Sequence, residues 1–143
     1  MAEIYAFACW HKSRDESTAT IINSTTRSKA RYQYFLDISD VWSEVKIMDI
    51  KVRKVGAPHS SERFIANAKY RGLPDVRCGR RVRVKDTGEG DDIGEGVIVG
   101  HNSSANFDVL FESGRFTGQV LNVHPCGLEL LPASAPPQEG SRG

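Results

Sequence analysis

Residues 96–111 read GVIVGHNSSANFDVLF. The stretch is two short apolar runs around a polar interval. GVIVG (96–100) is bounded by glycines and too short for a helix, which leaves a strand. HNSSAN (101–106) has the composition of a turn. FDVLF (107–111) alternates, as a strand with one buried face must. The pattern continues on both sides. Upstream, RVRVK (81–85) alternates strictly and DTGEGDDIGE (86–95) reads as a glycine-rich, acidic hairpin tip. Downstream, ESGRFTG (112–118) is a turn, followed by QVLNV (119–123) and LELL (128–131). Five short strands separated by glycine turns predict a small barrel or sandwich over 76–131.

The first half has a different texture. Residues 4–10 alternate and form a β-prone opening, 11–17 (HKSRDES) a polar turn, and 18–22 (TATII) the partner strand of a hairpin. Ser24 or Thr25 is placed to cap a helix, since a hydroxyl there accepts from the free N–H groups of the first turn. From Ala30 the apolar positions Ala30, Tyr34, Ile38 and Val41/Trp42 recur at helical spacing, with Lys29, Arg31 and Gln33 opposite. VKIMDIKVRKV (45–55) switches to period two, placing Met48, Ile50 and Val52 on one face. Ser60 or Ser61 then caps a short helix to about Arg71, with Phe64, Ile65 and Ala68 inward, and Gly72 and Pro74 end it. The expectation is α+β: a β-β-α-β-α unit over 1–75, the all-β half over 76–131, and a disordered polar tail over 132–143 rich in proline and glycine.

Composition sets the outer bounds. A chain of 143 residues with 39% apolar side chains fits one domain, or two small ones sharing an interface. No run approaches the ~20 apolar residues of a membrane helix. The N-terminus has no basic region before its apolar stretch and no cleavage-site pattern, so a cytosolic protein is expected. Cys9, Cys78 and Cys126 are three, and far apart, which argues against a disulfide framework or zinc knuckle. Residues 1–75 hold 12 Lys/Arg against 9 Asp/Glu, giving +3; residues 76–143 hold 7 against 9, giving −2. Neither half is basic enough to declare nucleic-acid binding by charge alone.

The order GRRVRV (79–84), acidic turn, GVIVGHNSSANFDVLF, LNVHP (121–125) resembles an SH3-like barrel of the KOW and Tudor type. With ARYQYFLDISD (30–40), IKVRKVG (50–56) and AKYRGLP (68–74), the chain over about 18–131 resembles an uncharacterised family of small bacteriophage and prophage proteins. That resemblance implies a five-stranded SH3-like β-barrel C-terminally, phage origin and a bacterial cytoplasm. It implies no catalytic activity for any residue, and SH3-like barrels take peptides, nucleic acids or other domains.

Several constellations bear on chemistry. His101, His124 and Cys126 would converge if the third and fifth strands were neighbours, with Asp108 as a nearby acid. No oxyanion-hole motif or glycine elbow accompanies them, and both histidines stand in turn contexts, so no catalytic residue is assigned. Cys9, His11, His101 and His124 match no metal-ligand spacing, and Glu89, Asp91, Asp92 and Glu95 do not have the spacing of an EF-hand loop. No metal or other cofactor is expected. Arg81, Arg83 and Lys85 share one strand face, with Arg77 and Arg80 close by, and would form a phosphate track unless a hairpin folds the following acids against them. Lys51, Arg53 and Lys54 with Arg27, Lys29 and Arg31 could form a second basic face, with Tyr32 to stack on a base. Trp10 and Trp42 end apolar segments and read as core. Phe107, Phe116 and Arg115 are the expected partner-contact surface, because aromatics and Arg dominate binding hot spots.

The expected function is a non-catalytic phage accessory protein that binds a host protein; inhibition of a bacterial defence system such as CRISPR is its concrete form. The alternatives are a nucleic-acid-binding module using Arg81, Arg83, Lys85, Lys51 and Arg53, and a virion structural component. No membrane partner is expected. The pattern leaves the oligomeric state open, since an exposed edge strand permits dimers without demanding them.

Overall fold

The computed structural model describes residues 3–86, 88, 90–102 and 104–132. It contains two helices and two antiparallel sheets, distributed over two compact units, Met1–Ile65 and Ala66–Gly143.

In the first unit β1 (Tyr5–His11) is the central strand, flanked by β2 (Thr20–Ser24) and β3 (Ile50–Gly56) in the order β2-β1-β3. Pairing sets Phe7 opposite Ile22, Cys9 opposite Val52 and His11 opposite Ile50. Directly opposed residues share a face, so Phe7, Cys9 and Ile50 project together. Helix α1 (Arg27–Ser39) covers that face: Phe7, Cys9, Ala30 and Ile50 form a buried cluster, edged by Tyr5, Ile22, Tyr34, Phe35, Ile38 and Val52. The cap of α1 is Thr26, one or two residues beyond the expected hydroxyls, with its Oγ1 accepting from Lys29 N–H at 3.1 Å. The helix stops before Val41 and Trp42. The strand expected from residue 45 starts only at Ile50, because Ile47–Asp49 closes a 3₁₀ turn first. Met48, expected on the inward face of that strand, therefore stands exposed.

Helix α2 (Glu62–Tyr70) begins in the first unit and ends in the second. Ser61 Oγ accepts from Phe64 N–H at 3.0 Å, and Phe64 and Ala68, one turn apart, are buried. At the other end Gly72 takes a φ of +79°, which lets Leu73 N–H return to the Ala68 carbonyl at 2.8 Å.

The second unit carries β4 (Arg81–Lys85), β5 (Asp92–His101), β6 (Phe107–Phe111), β7 (Val120–Val123) and β8 (Leu128–Leu130), ordered β7-β6-β5-β4-β8. Register places Leu130, Val82, Gly96 and Phe111 in one row and Ile98, Val109 and Leu121 in another, on the same apolar face. A Cβ on Gly96 would lie 2.4 Å from the Leu110 carbonyl oxygen, so only glycine lets β5 press against β6 this closely. The chain passes from one sheet edge to the other through the 3₁₀ turn Pro125–Gly127. Five residues reach at most ~18 Å, whereas four flat strand spacings cover ~19 Å, so the sheet is curled.

Curled is not closed. The expected β-β-α-β-α unit followed by a five-stranded SH3-like barrel is overturned, because neither sheet closes: each retains two edge strands. Closure of the second sheet would require β7 to pair with β8. These strands follow one another across a turn of three residues, begun by a proline that has no N–H to donate, and they run on instead of folding back as a hairpin. The acidic stretch is also less of a loop than expected, since β5 already begins at Asp92. Residues 133–143 of the expected disordered tail, together with Thr87, Glu89 and Ser103, lie outside the described residues. No described helix is long and apolar enough to cross a membrane.

Candidate functional site

The structure divides the expected partner surface. Phe107 is 0% exposed and shares the apolar face of β6 with Val109 and Phe111, so it cannot meet a partner. Alternation along β6 forces this, because the strand's buried face starts at its first residue. Phe116 is half-buried, its ring edge-on to Phe111 at 5.8 Å, and the Arg115 guanidinium lies 4.9 Å from its centroid. Of the three, only Arg115 is exposed.

The β4 cations face carboxylates. In one row across the sheet Arg83 stands opposite Glu95 on β5 and Glu129 on β8. Its guanidinium reaches Glu95 at 2.8 Å, Asp92 at 3.5 Å and Glu129 at 3.7 Å, and the Glu95 bond and charge raise its already high pKa further. Lys85 meets Glu129 at 3.4 Å, and Arg81 pairs with Glu112. This surface alternates in sign, with each of its three cations set against at least one carboxylate. On β3, Arg53 is engaged by Glu16 at 2.5 Å, and Lys54 lies over the Tyr5 ring at 3.6 Å. Lys51 is exposed and has no ion-pair partner among the described residues.

The histidines of the second unit do not assemble with the thiol. His101 and Val123 flank Phe107 on opposite sides, so β6 stands between His101 and the approach to His124. Asp108 accepts from Asn122, and Asn122 in turn from Asn102. His124 Nδ1 accepts the Cys126 backbone N–H at 3.1 Å, a local turn bond. Among the described residues no three His, Cys, Asp or Glu side chains gather for a metal ion.

The chemistry that does converge lies at one end of the first sheet. His11 ends β1, and alternation points it to the side covered by α1. Beyond α1 the chain turns, with Trp42 N–H bonded to the Ile38 carbonyl at 2.9 Å, which brings the indole 4.3 Å from the His11 ring at 50°. Arg14 lies 6.0 Å from the same indole. The 3₁₀ turn before β3 is tied in by Lys12 N–H to the Asp49 carbonyl at 2.8 Å, and Lys12 Nζ reaches the Asp49 carboxylate at 3.1 Å. His11 is only 7% exposed. Its Nδ1 accepts from Ser13 N–H at 3.1 Å and faces Ser13 Oγ at 2.7 Å. An N–H can only donate, so Nδ1 is the unprotonated nitrogen and the hydroxyl donates to it. The proton sits on Nε2, which faces Asp49 Oδ2 at 3.8 Å, beyond hydrogen-bond reach.

Ser13, His11 and Asp49 are residue types of a hydrolytic triad, yet this arrangement is not one. Nδ1 is already occupied by a backbone donor, and the carboxylate does not bond the ring. The surroundings instead suit recognition. Of the nine large hydrophobic side chains exposed among the described residues, five fall within 32–48: Tyr32, Leu36, Val41, Ile47 and Met48. Val41 is 89% and Met48 81% exposed. Tyr32 and Leu36, one turn apart, lie on the face of α1 away from the sheet. Sequence reasoning missed this corner because it extended the helix through Val41 and Trp42 and the strand through Met48, making all three inward. The available signal was the break in both periodicities between residues 41 and 49.

No protein-family model, curated protein or solved structure matches the chain.

Proposed function

We propose that this protein is a non-catalytic binding module that engages another protein through the Trp42-centred surface of its first unit. Five of the nine large apolar side chains exposed among the described residues fall within the single segment 32–48, and this carries the reading, because exposed apolar surface has a cost in water that a partner relieves. A half-buried indole with an arginine beside it is the composition of an interface centre. The resemblance to small phage proteins supports a bacterial cytoplasm and a host protein as partner, with inhibition of a defence system as its concrete form. The nucleic-acid alternative is weakened by the carboxylates around Arg81, Arg83 and Lys85.

Photo-crosslinking tests the reading. A photoreactive phenylalanine analogue at position 41, irradiated in bacterial cells, is expected to yield a discrete protein adduct that the same probe at exposed position 120 on β7 does not. Adducts that disappear on nuclease treatment, or equal labelling from both positions, would contradict it.

A further inference from the structure

We infer that His11 is a proton-operated switch that holds the 11–14 turn against Trp42 when its ring is neutral and releases it when the ring is protonated. The geometry defines the neutral state. Ser13 N–H and Ser13 Oγ–H both point at Nδ1, and a proton added there turns the only acceptor into a donor. The hydroxyl can rotate and accept from the new N–H, but the backbone N–H cannot. That bond is lost, and two N–H groups are left facing each other in a site closed to water on most sides. The proton comes from solvent, and no covalent bond changes.

Charged groups surround the ring from each element packed on it. Asp49, from the turn before β3, attracts the imidazolium, and Lys12 and Arg14, from the ring's own turn, repel it. Helix α1 carries Tyr34 and Asp37, and Tyr34 feels the charges of both Arg14 and Asp37. The protonated ring is therefore drawn toward Asp49 and away from Ser13. That motion alters the stacking with Trp42 and loosens the turn that holds Arg14 beside it. His124 repeats the same Nδ1 bond with Cys126 N–H, but its ring is exposed, so water can replace the lost partner there. Burial against an indole sets His11 apart. The consequence for partner binding rests on the protein-binding reading; the switch itself does not, and it is tested without a partner.

In a Trp10→Phe variant, Trp42 emission is followed from about pH 8 to about pH 5, the range in which imidazoles titrate. The expected result is one sigmoidal loss of emission, because release of the turn uncovers the indole to quenching by water, and a flat profile in the same background carrying His11→Gln. In the unmodified protein the Ser13 amide resonance is expected to shift with the same midpoint as the His11 ring protons, which covers the case of a Trp10→Phe variant that fails to fold. A pH-independent Trp42 emission, a loss that survives His11→Gln, or a Ser13 amide that stays in place while His11 titrates would each overturn the inference.

Discussion

Gly96 and Cys9 show how single side chains, or their absence, set the terms for each sheet. A methyl group at Gly96 meets the Leu110 carbonyl oxygen at 2.4 Å and Val109 Cγ1 at 2.8 Å, both in the packed interior of the second unit. Neither neighbour can retreat, so Gly96→Ala is expected to cost about 1–3 kcal/mol, read as a lowered urea midpoint. An unchanged midpoint would mean that β5 and β6 sit further apart than described. Cys9 is fully buried, with its Sγ directed to the Ala30 carbonyl at 3.9 Å. Burial pushes its thiol pKa from 9.0 up to about 11, with Arg31 pulling it down and Asp37 raising it. The unfolded chain sheds this proton near pH 9.0, while the folded chain holds it to about 11. The contribution of Cys9 to stability is thus complete below pH 9.0 and is lost as pH rises through that window. The decline in unfolding midpoint above pH 9 should shrink in Cys9→Ala, whatever that variant's starting stability.

At the scale of elements, caps and cross-strand pairs separate what the pattern could tell from what it could not. Thr26 serves the first turn of α1, and Thr26→Ala is expected to cost about 1 kcal/mol by chemical denaturation. The same loss in Thr25→Ala would displace the cap to one of the two residues, Ser24 or Thr25, that the sequence offers. The β4 charges make a weaker prediction. Arg83 is one-third exposed among its carboxylates, so Glu129→Gln should change stability by less than about 1 kcal/mol, and less still at high salt. The positions of β4 and β6 were legible because alternation over five residues with a buried face admits little else. The ends of α1 and β3 were not. Val41 and Trp42 prolong the helical spacing and Met48 the alternating one, and only the turns at either end of this segment decide that Val41 and Met48 face water. The candidate site was hidden for the same reason, since its aromatic member was assigned to a core it only half enters.

On the scale of the whole molecule, local pattern specifies strands but not whether a sheet closes. Closure depends on whether β7 and β8 pair, which no alternation within either strand encodes; the four residues between them settle it by running the chain on. Function follows the same logic. Register brings carboxylates opposite the β4 cations, which a linear reading of 77–85 leaves unpaired, while the exposed apolar side chains of 32–48 emerge only once the turns are placed. The central claim is that this surface, and not the charged strand faces, recognises a protein. Its most direct test is affinity capture from bacterial lysate after nuclease treatment and at high salt, comparing the unmodified protein with Val41→Asp/Met48→Asp and with Arg81→Ala/Arg83→Ala, all shown to be folded. A discrete protein retained by the unmodified chain and by the arginine variant, but lost from the aspartate variant, is the predicted result. Retention by the aspartate variant, or capture of nucleic acid that salt and nuclease remove, would contradict the account.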